Sequence, residues 1–289
     1  MITNSFTAAS MASAFTGQLP SQLEPKGIGW GGCYFKKTED EKKIWNNKFI
    51  FNNLDKDWKI ITYADEKNKV WLTNNLCNPM GHLEQKVHVN YKNEIQLLDK
   101  IQKNNNTKEF YWIKYDHYHD NHGPKAIKRF LEILNNINFS EKDSFFWIFS
   151  DHGEWRHIDE FMKPPHSSIG WNVVINNLSN IEDNREICHI TDFYHYVMAL
   201  TKGATPKFMD EFYYCEDGRA RISLYSTTTF SVLTKTSESI ITQMSFYNNK
   251  ARVYDYDYKA GIIKNINNVD FNNIKSGEFF VLKEKLIQF

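Results

Sequence analysis

Apolar and polar positions alternate between strand-like and helix-like spacing up to about residue 205. Four short runs rich in aromatic and β-branched residues predict strands, at residues 58–64, 110–115, 145–149 and 170–176. Helical spacing predicts helices, at residues 6–17, 44–54, 94–103, 124–137 and 190–203, the last with Gly203 as its C-terminal cap. Strands that alternate with helices are typical of an α/β fold. The sequence therefore predicts a mostly parallel sheet flanked by helices.

The pattern changes after Pro206, where apolar residues recur in short runs with strand spacing. The runs at residues 220–234, 239–248 and 251–258 predict a small antiparallel sheet. We therefore expect an α/β core over residues 1–205 and a smaller β-rich subdomain over residues 206–289 that packs on it.

Composition excludes several classes of protein for this 289-residue chain. Lys and Arg together number 35, as do Asp and Glu, and no basic stripe is present, so a nucleic-acid partner is not expected. No apolar run approaches the length of a membrane span, and no secretory leader is visible, so a cytoplasmic location is the default expectation. The four cysteines do not have the C-x-x-C spacing of a zinc ribbon or a thioredoxin-type site.

Acidic and histidine side chains follow the predicted strand at residues 145–149. Asp151 and His152 stand side by side, and Gly153 allows the strand to break there so that both can turn toward one ion. A carboxylate and an imidazole suit zinc, manganese and, less well, calcium. The alternative is an aspartate turn beside a structural histidine.

A denser cluster follows the predicted strand at residues 110–115. It contains Asp116, His117, His119, Asp120 and His122 within seven residues. Ligands of parallel sheets bind at the carboxyl ends of the strands, so this cluster is expected at the same edge as Asp151. It could supply most of a metal site or bind an anionic substrate, and the alternative is a solvated polar loop.

Further candidate ligands lie downstream of Asp151. Lys163 and His166 flank Pro164 and Pro165, which would hold His166 rigidly. The remaining isolated histidines are expected to be structural, namely His82, His88, His189 and His195.

Three motifs of this chain resemble those of the alkaline phosphatase superfamily, specifically its sulfatase-like branch. The segment "FWIFSDHGEW" resembles the late metal motif of that branch, an apolar strand followed by S-D-H-G-E. The run "TAASMASAFTG" resembles the nucleophile loop C-x-P-S-R-x-x-x-x-T-G, with Thr7 at the nucleophile position. The segment "HYHDNHGP" resembles the H-x-x-D-P-H-x-P segment, in which the second histidine contacts the bound sulfate or phosphate.

The resemblance implies a role for each candidate residue. Thr7 would be the nucleophile, and Asp151 and His152 would bind a divalent metal ion, zinc, manganese or calcium, together with it. The other substrate oxygens would be neutralised by a second cation, with Asp116, Asp120 and His166 as its candidate ligands, or by direct contacts from His122 and Lys163.

The residue at position 7 bears on the substrate. Sulfatases convert a cysteine or serine there to formylglycine, whereas threonine is the nucleophile in the superfamily's phosphodiesterases and phosphoethanolamine transferases. The resemblance therefore implies a metal-dependent hydrolase or transferase acting on phosphate esters, with sulfate esters less favoured. The ester would be a small molecule or linked to a glycan or lipid.

The N-terminal region leaves a second interpretation open. The superfamily has a first strand ending in metal-binding aspartates before the nucleophile, whereas six residues precede Thr7 here. The resemblance implies that the α/β core is incomplete at its N-terminus. The alternative function is that of an inactive or truncated sulfatase-like protein that binds anions or glycans or pairs with another chain.

Overall fold

The chain divides into two compact units in a computed structural model. The first unit comprises residues 1–37, 146–174 and 180–289, and the second comprises residues 38–145 and 175–179. The structure describes residues 1–3, 7–19, 22, 49–64, 99, 103, 108–114, 128, 131, 132, 134–136, 145–150, 153, 165, 169, 170, 172–176, 185–209, 211–218, 228–247 and 250–288.

The second unit contains a short helix, α2 (Ile50–Asn53), and two parallel strands, β1 (Lys59–Ala64) and β2 (Glu109–Lys114). Both strands lie where the apolar runs predict them. In this pair Lys59 stands beside Glu109, and Nζ of Lys59 lies 3.2 Å from Oε1 of Glu109. Strand β2 also buries the side chain of Trp112.

Helices α1 (Thr7–Thr16) and α3 (Asp192–Lys202) of the first unit pack against each other. Small side chains let α1 sink deeply into the unit, since Ser10, Ser13 and Ala14 are fully buried. Helix α3 ends at Gly203, as predicted. The left-handed backbone of Gly203 lets the Gly203 N–H donate to the Ala199 carbonyl at 3.0 Å.

Strands β3 (Phe145–Phe149) and β4 (Asn172–Asn176) form a two-stranded sheet. Both lie where the sequence predicts strands. Aromatic side chains join β3 to α3, because the Trp147 ring lies 5.5 Å from that of Phe193 and 5.1 Å from that of Tyr196. These edge-to-face contacts align the strand on the helix.

The largest sheet among the described residues is antiparallel and five-stranded. Its strands follow one another in chain order, with a bulge in the last pair between Asp255 and Tyr256. The strands are β5 (Phe212–Gly218), β6 (Thr228–Lys235), β7 (Ile240–Tyr247), β8 (Lys250–Asp257) and β9 (Ile262–Asp270).

Alternate residues of this sheet form two hydrophobic clusters. One cluster joins Val232, Met244 and Val253 to the C-terminal helix α4 (Glu278–Gln288) through Leu282 and Leu286. The other contains Leu233 and Ile241 together with Ile2, Ile187 and Tyr213. Because neighbouring residues of a strand point to opposite faces, β5, β6 and β7 contribute to both clusters, whereas β8 contributes to the first.

The prediction of a mostly parallel α/β sheet was wrong. The described strands form one antiparallel sheet of five and two sheets of two, of which β1–β2 is parallel. The last four strands of the large sheet are joined by short connections, such as the two residues between Tyr247 and Lys250. Short connections permit only antiparallel pairing, whereas parallel strands need a long crossover. The predicted boundary between residues 205 and 206 stays a prediction.

No helix within the described residues is both long and apolar enough to cross a membrane.

A matched pair of glycines tests the packing of α1 on α3. Gly17 and Gly203 both have a left-handed backbone, with φ of 68° and 64°. A Cβ on Gly17 would lie 2.6 Å from Cδ1 of Tyr194, whereas nothing lies within 4 Å of one on Gly203. Gly203→Ala should lower the free energy of unfolding by about 1 kcal/mol and Gly17→Ala by about 2–4 kcal/mol. Urea denaturation measures both, and equal losses would contradict the described packing of Tyr194.

Candidate functional site

The candidate site begins with the first three residues, which lie between two other segments of the first unit. Ile2 is fully buried and makes an antiparallel bridge to Ile169 and a parallel bridge to His189. Its N–H donates to the Cys188 carbonyl at 2.7 Å, and its carbonyl accepts from the N–H of Ile190 at 2.8 Å. The segment that leads into α1 is thereby held on both sides.

Three segments meet where β3 ends. A Cβ built on Gly170 would lie 2.3 Å from Oγ of Ser150 and 3.5 Å from Cγ2 of Thr3. The N–H of Gly170 also donates to the Met1 carbonyl at 2.9 Å. Gly170 therefore lies close to Ser150 at the end of β3 and to the first three residues of the chain.

Helix α1 starts at Thr7, the predicted nucleophile. The first N–H groups of a helix have no partner within it and carry a partial positive charge, so this end of α1 favours an anion. The run that resembles the nucleophile loop extends from Thr7 to Gly17, just beyond the C-terminal end of α1. There the N–H of Gly17 donates to the Ser13 carbonyl at 2.9 Å.

His195 packs near that second end of α1. Burial is the main cause that lowers the pKa of His195, and the nearby charge of Lys207 lowers it further, while a hydrogen bond with the Gly17 backbone opposes both. This arrangement favours a neutral imidazole, in keeping with the structural role predicted for this residue.

The other predicted site residues lie outside the described part of the chain. Ser150 and Gly153, which flank the Asp151–His152 pair, are described, and Thr7 is described through its backbone. The residues outside are Asp116, Asp120, His122, Asp151, His152, Lys163 and His166.

The candidate residues are distributed over the ranges of both units. The ranges of the first unit include Thr7, Asp151, His152, Lys163 and His166. The range of the second unit includes Asp116, Asp120 and His122. The described residues that most nearly precede the predicted nucleophile and first metal pair, Thr3 and Ser150, both lie close to Gly170.

A buried polar cluster at the start of α3 was missed as a group by sequence reasoning. His189 is fully buried, and its Nε2 donates to the Tyr214 carbonyl at 2.7 Å. Its Nδ1 accepts from the N–H of Thr191 at 3.2 Å, which requires the neutral ring with its proton on Nε2. The structural role predicted for His189 is confirmed.

Asp192 and Arg185 complete this cluster. One carboxylate oxygen of the fully buried Asp192 accepts from the His189 N–H at 2.8 Å and lies 2.9 Å from the Arg185 guanidinium. The same guanidinium donates to the Met209 carbonyl at 2.7 Å. The spacing of His, Thr and Asp in "HITD" was the available signal, because short polar side chains before a helix commonly bond its first turn.

Among the described residues, no group of three His, Cys, Asp or Glu side chains could hold a metal ion. Of the predicted metal ligands, Asp116, Asp120, Asp151, His152 and His166 lie outside the described residues.

Comparison of the chain with models of protein families, with characterised proteins and with solved structures gave no match. The resemblance to the alkaline phosphatase superfamily therefore remains a hypothesis based on the three motifs.

A substitution at Gly170 tests the close approach at the end of β3. Gly170→Ala should lower the free energy of unfolding by about 1–3 kcal/mol, because the new methyl group overlaps the Ser150 hydroxyl. Ser150→Ala should recover part of this loss in the double variant, since the nearest atom is then removed. A double-mutant cycle measured by urea denaturation checks the coupling, and strictly additive losses would contradict the contact.

The buried His189 predicts a pH dependence of stability. Burial lowers the pKa of its imidazole to about 4 from 6.5, and the nearby positive charges of Arg185 and the Met1 amine act in the same direction. The unfolded chain therefore binds a proton near pH 6.5 that the folded chain binds only near pH 4. About 3 kcal/mol of stability should be lost as pH falls through this window.

Unfolding free energies measured from pH 7 to pH 4 check this prediction. In His189→Gln, the free energy of unfolding should change less with pH over that window than it does in the native chain, whatever the stability of the variant at pH 7. His195→Gln is the matched control with the smaller expected change, because His195 is less buried. A profile left unaltered by His189→Gln would show that His189 is not held neutral by the fold.

Proposed function

We propose that this protein is a metal-dependent hydrolase or transferase that acts on phosphate esters, with Thr7 as the nucleophile. One observation supports the proposal more than any other. Gly170 lies against both Ser150 and Thr3, so the segment that continues into Asp151 and His152 adjoins the segment that continues into Thr7.

The donor set in these two segments suits a divalent cation. The Asp151 carboxylate, the His152 imidazole and the Thr7 hydroxyl are ligands that zinc and manganese accept, and Asp151 and Thr7 are also suitable for calcium. When bound, the cation would lower the pKa of the threonine hydroxyl and neutralise phosphate charge.

The chain's own groups account for the remaining steps. The N-terminal end of α1 would orient the phosphate through its backbone N–H groups. Oγ of Thr7 would form a bond to phosphorus as the bond to the ester oxygen breaks, and the alcohol would leave with a proton. Water or an acceptor alcohol would then attack phosphorus and release Thr7. Such transfer depends mainly on positioning and charge neutralisation.

The other predicted residues would act on the same phosphate. Lys163 and His122 are proposed to contact its oxygens, and Asp116, Asp120 and His166 are proposed to bind a second cation. The substrate class is a phosphate ester on a small molecule, glycan or lipid, because threonine favours direct attack on phosphorus over sulfatase chemistry.

Variants of Thr7 and Asp151 test this function. With p-nitrophenyl phosphate or bis-p-nitrophenyl phosphate and added zinc, manganese or calcium, turnover should be lost in Thr7→Ala and partly kept in Thr7→Ser, which retains a hydroxyl. Asp151→Ala should lose bound metal in elemental analysis. Thr16→Ser is the matched control, since it changes a threonine at the other end of α1 and should leave turnover intact.

Two results would reject the proposal. Stoichiometric metal in Asp151→Ala would exclude the metal assignment. Turnover of Thr7→Ala at the native rate would exclude the nucleophile. An unmodified chain with neither metal nor turnover would instead favour a protein that only binds anions, glycans or another chain.

A further inference from the structure

The imidazole of His189 lies beside the first residues of the chain. His189 and Ile2 are partners in a parallel bridge, in which the Ile2 backbone bonds those of Cys188 and Ile190. Bridge partners have their side chains on the same face, about 4.8 Å apart. The Ile2 side chain therefore lies next to the ring, and both residues are fully buried.

Both ring nitrogens of His189 face neutral groups. Nε2 lies 2.7 Å from the Tyr214 carbonyl, and Nδ1 lies 2.7 Å from the Thr191 hydroxyl and 3.2 Å from the Thr191 backbone nitrogen. Within the described residues, no carboxylate bonds either nitrogen. A second proton would therefore bury a positive charge without an opposite charge on the ring, which is unfavourable.

The charged groups near the ring also oppose a second proton. One oxygen of Asp192 accepts from the His189 backbone N–H and pairs with Arg185 at 2.9 Å. The Arg185 guanidinium and the Met1 amine both act against a further positive charge. The Met1 amine donates to the Gly170 carbonyl at 2.9 Å, and burial lowers the pKa of this amine.

Strand β5 adds neutral groups on the other side of the ring. Tyr213 and Cys215 pack with Ile2. The Tyr213 phenol donates to the Ile187 carbonyl at 3.2 Å, and burial raises the pKa of the Tyr214 phenol. Phenols and thiols are uncharged in acid, so β5 supplies no charge that would hold an imidazolium in place.

We propose that His189 is an acid-operated latch for the segment before α1. When the imidazole binds a second proton, it must reach water, and residues 1–3 leave their position between Ile169 and His189. The same segment continues into Thr7, so the latch would regulate the site of the proposed function. That consequence rests on the proposed function, whereas the latch does not.

Residues 1–3 are the neighbours of the ring that open most easily. Strand β5 pairs with β6 along its whole length, and Asp192 and Arg185 fix the start of α3. Residues 1–3 are held by the backbone bonds of Ile2 and by those between Met1 and Gly170. Segments with short ladders open locally at a lower free energy than the whole domain unfolds.

The direction of the pH effect follows from burial. The pKa of the imidazole is lowered to about 4 by burial in the closed state and returns to 6.5 when the ring is exposed. The open state therefore gains a proton as pH falls below 6.5. The equilibrium constant for opening should rise by about fiftyfold between pH 7 and pH 4.5.

Amide hydrogen exchange tests the latch. The Ile190 N–H is bonded to the Ile2 carbonyl and exchanges when the latch opens, whereas Met244 lies inside the five-stranded sheet. After correction for the intrinsic exchange rate, opening at Ile190 should rise by about fiftyfold between pH 7 and pH 4.5. It should depend little on low urea concentrations, because local opening exposes little surface, whereas opening at Met244 should depend on urea steeply.

Two variants assign the proton. His189→Gln keeps an amide donor for the Tyr214 carbonyl but does not titrate, so the pH dependence of opening at Ile190 should disappear. His195→Gln is the matched control, a histidine of α3 whose replacement should leave that dependence unchanged. The Met1 amine is present in both variants. A pH dependence that persists in His189→Gln would therefore belong to another group and would overturn the proposal.

Turnover tests the regulatory consequence separately. With bis-p-nitrophenyl phosphate, turnover should fall reversibly between pH 6 and pH 4.5 in the native chain and fall less in His189→Gln. An equal fall in both would overturn regulation through the latch. A native chain without turnover would reject the proposed function, and hydrogen exchange would still decide whether the latch exists.

Two results in the native chain would overturn the latch. One is an Ile190 amide with the same opening constant and urea dependence as Met244, and the other is local opening at Ile190 that does not change with pH. If His189→Gln does not fold, the pH window decides. Opening that rises below pH 6.5 belongs to an imidazole, whereas opening that already rises below about pH 8 belongs to the amine and contradicts the proposal.

Discussion

The two backbone hydrogen bonds of Ile2 hold the first residues of the chain inside the first unit. Ile2 donates to Cys188 and accepts from Ile190, so it lies beside the segment that leads into α3. On its other side it bridges to Ile169. A fully buried backbone must have its polar groups paired, and these contacts satisfy those of Ile2. The end of β3 adjoins the same arrangement, because Gly170, next to Ile169, lies close to Ser150.

The polar cluster at α3 reinforces the same region. His189 follows Cys188 directly, and its buried ring bonds the backbone of Tyr214 in β5. Asp192 and Arg185 extend the cluster to Met209, just before that strand. Burying polar groups is unfavourable unless they are bonded, so the bonds made by His189, Arg185 and one oxygen of Asp192 favour one arrangement of the region. The α3 helix, the first residues and the first strand of the large sheet are positioned together.

Strand positions were predictable because periodicity and residue type act locally. Residues 145–149 and 240–247 each combine strand length with aromatic or β-branched side chains, and both form strands. The direction of pairing was not predictable in the same way. The alternation of strands and helices before residue 205 favoured one parallel sheet, but β1–β2 and β3–β4 pair separately and the five-stranded sheet is antiparallel. Partner choice depends on contacts between distant segments, which local periodicity does not contain.

The sequence by itself determined where most strands lie, that α3 ends at Gly203, and which side chains are suited to bind a metal or phosphate. Each of these depends on short-range sterics or on the chemistry of single residues. Only the tertiary structure decided that Thr3, Ser150 and Gly170 meet, and that His189 is held neutral. These properties arise from burial and from pairing between segments far apart in the chain, which no local pattern encodes.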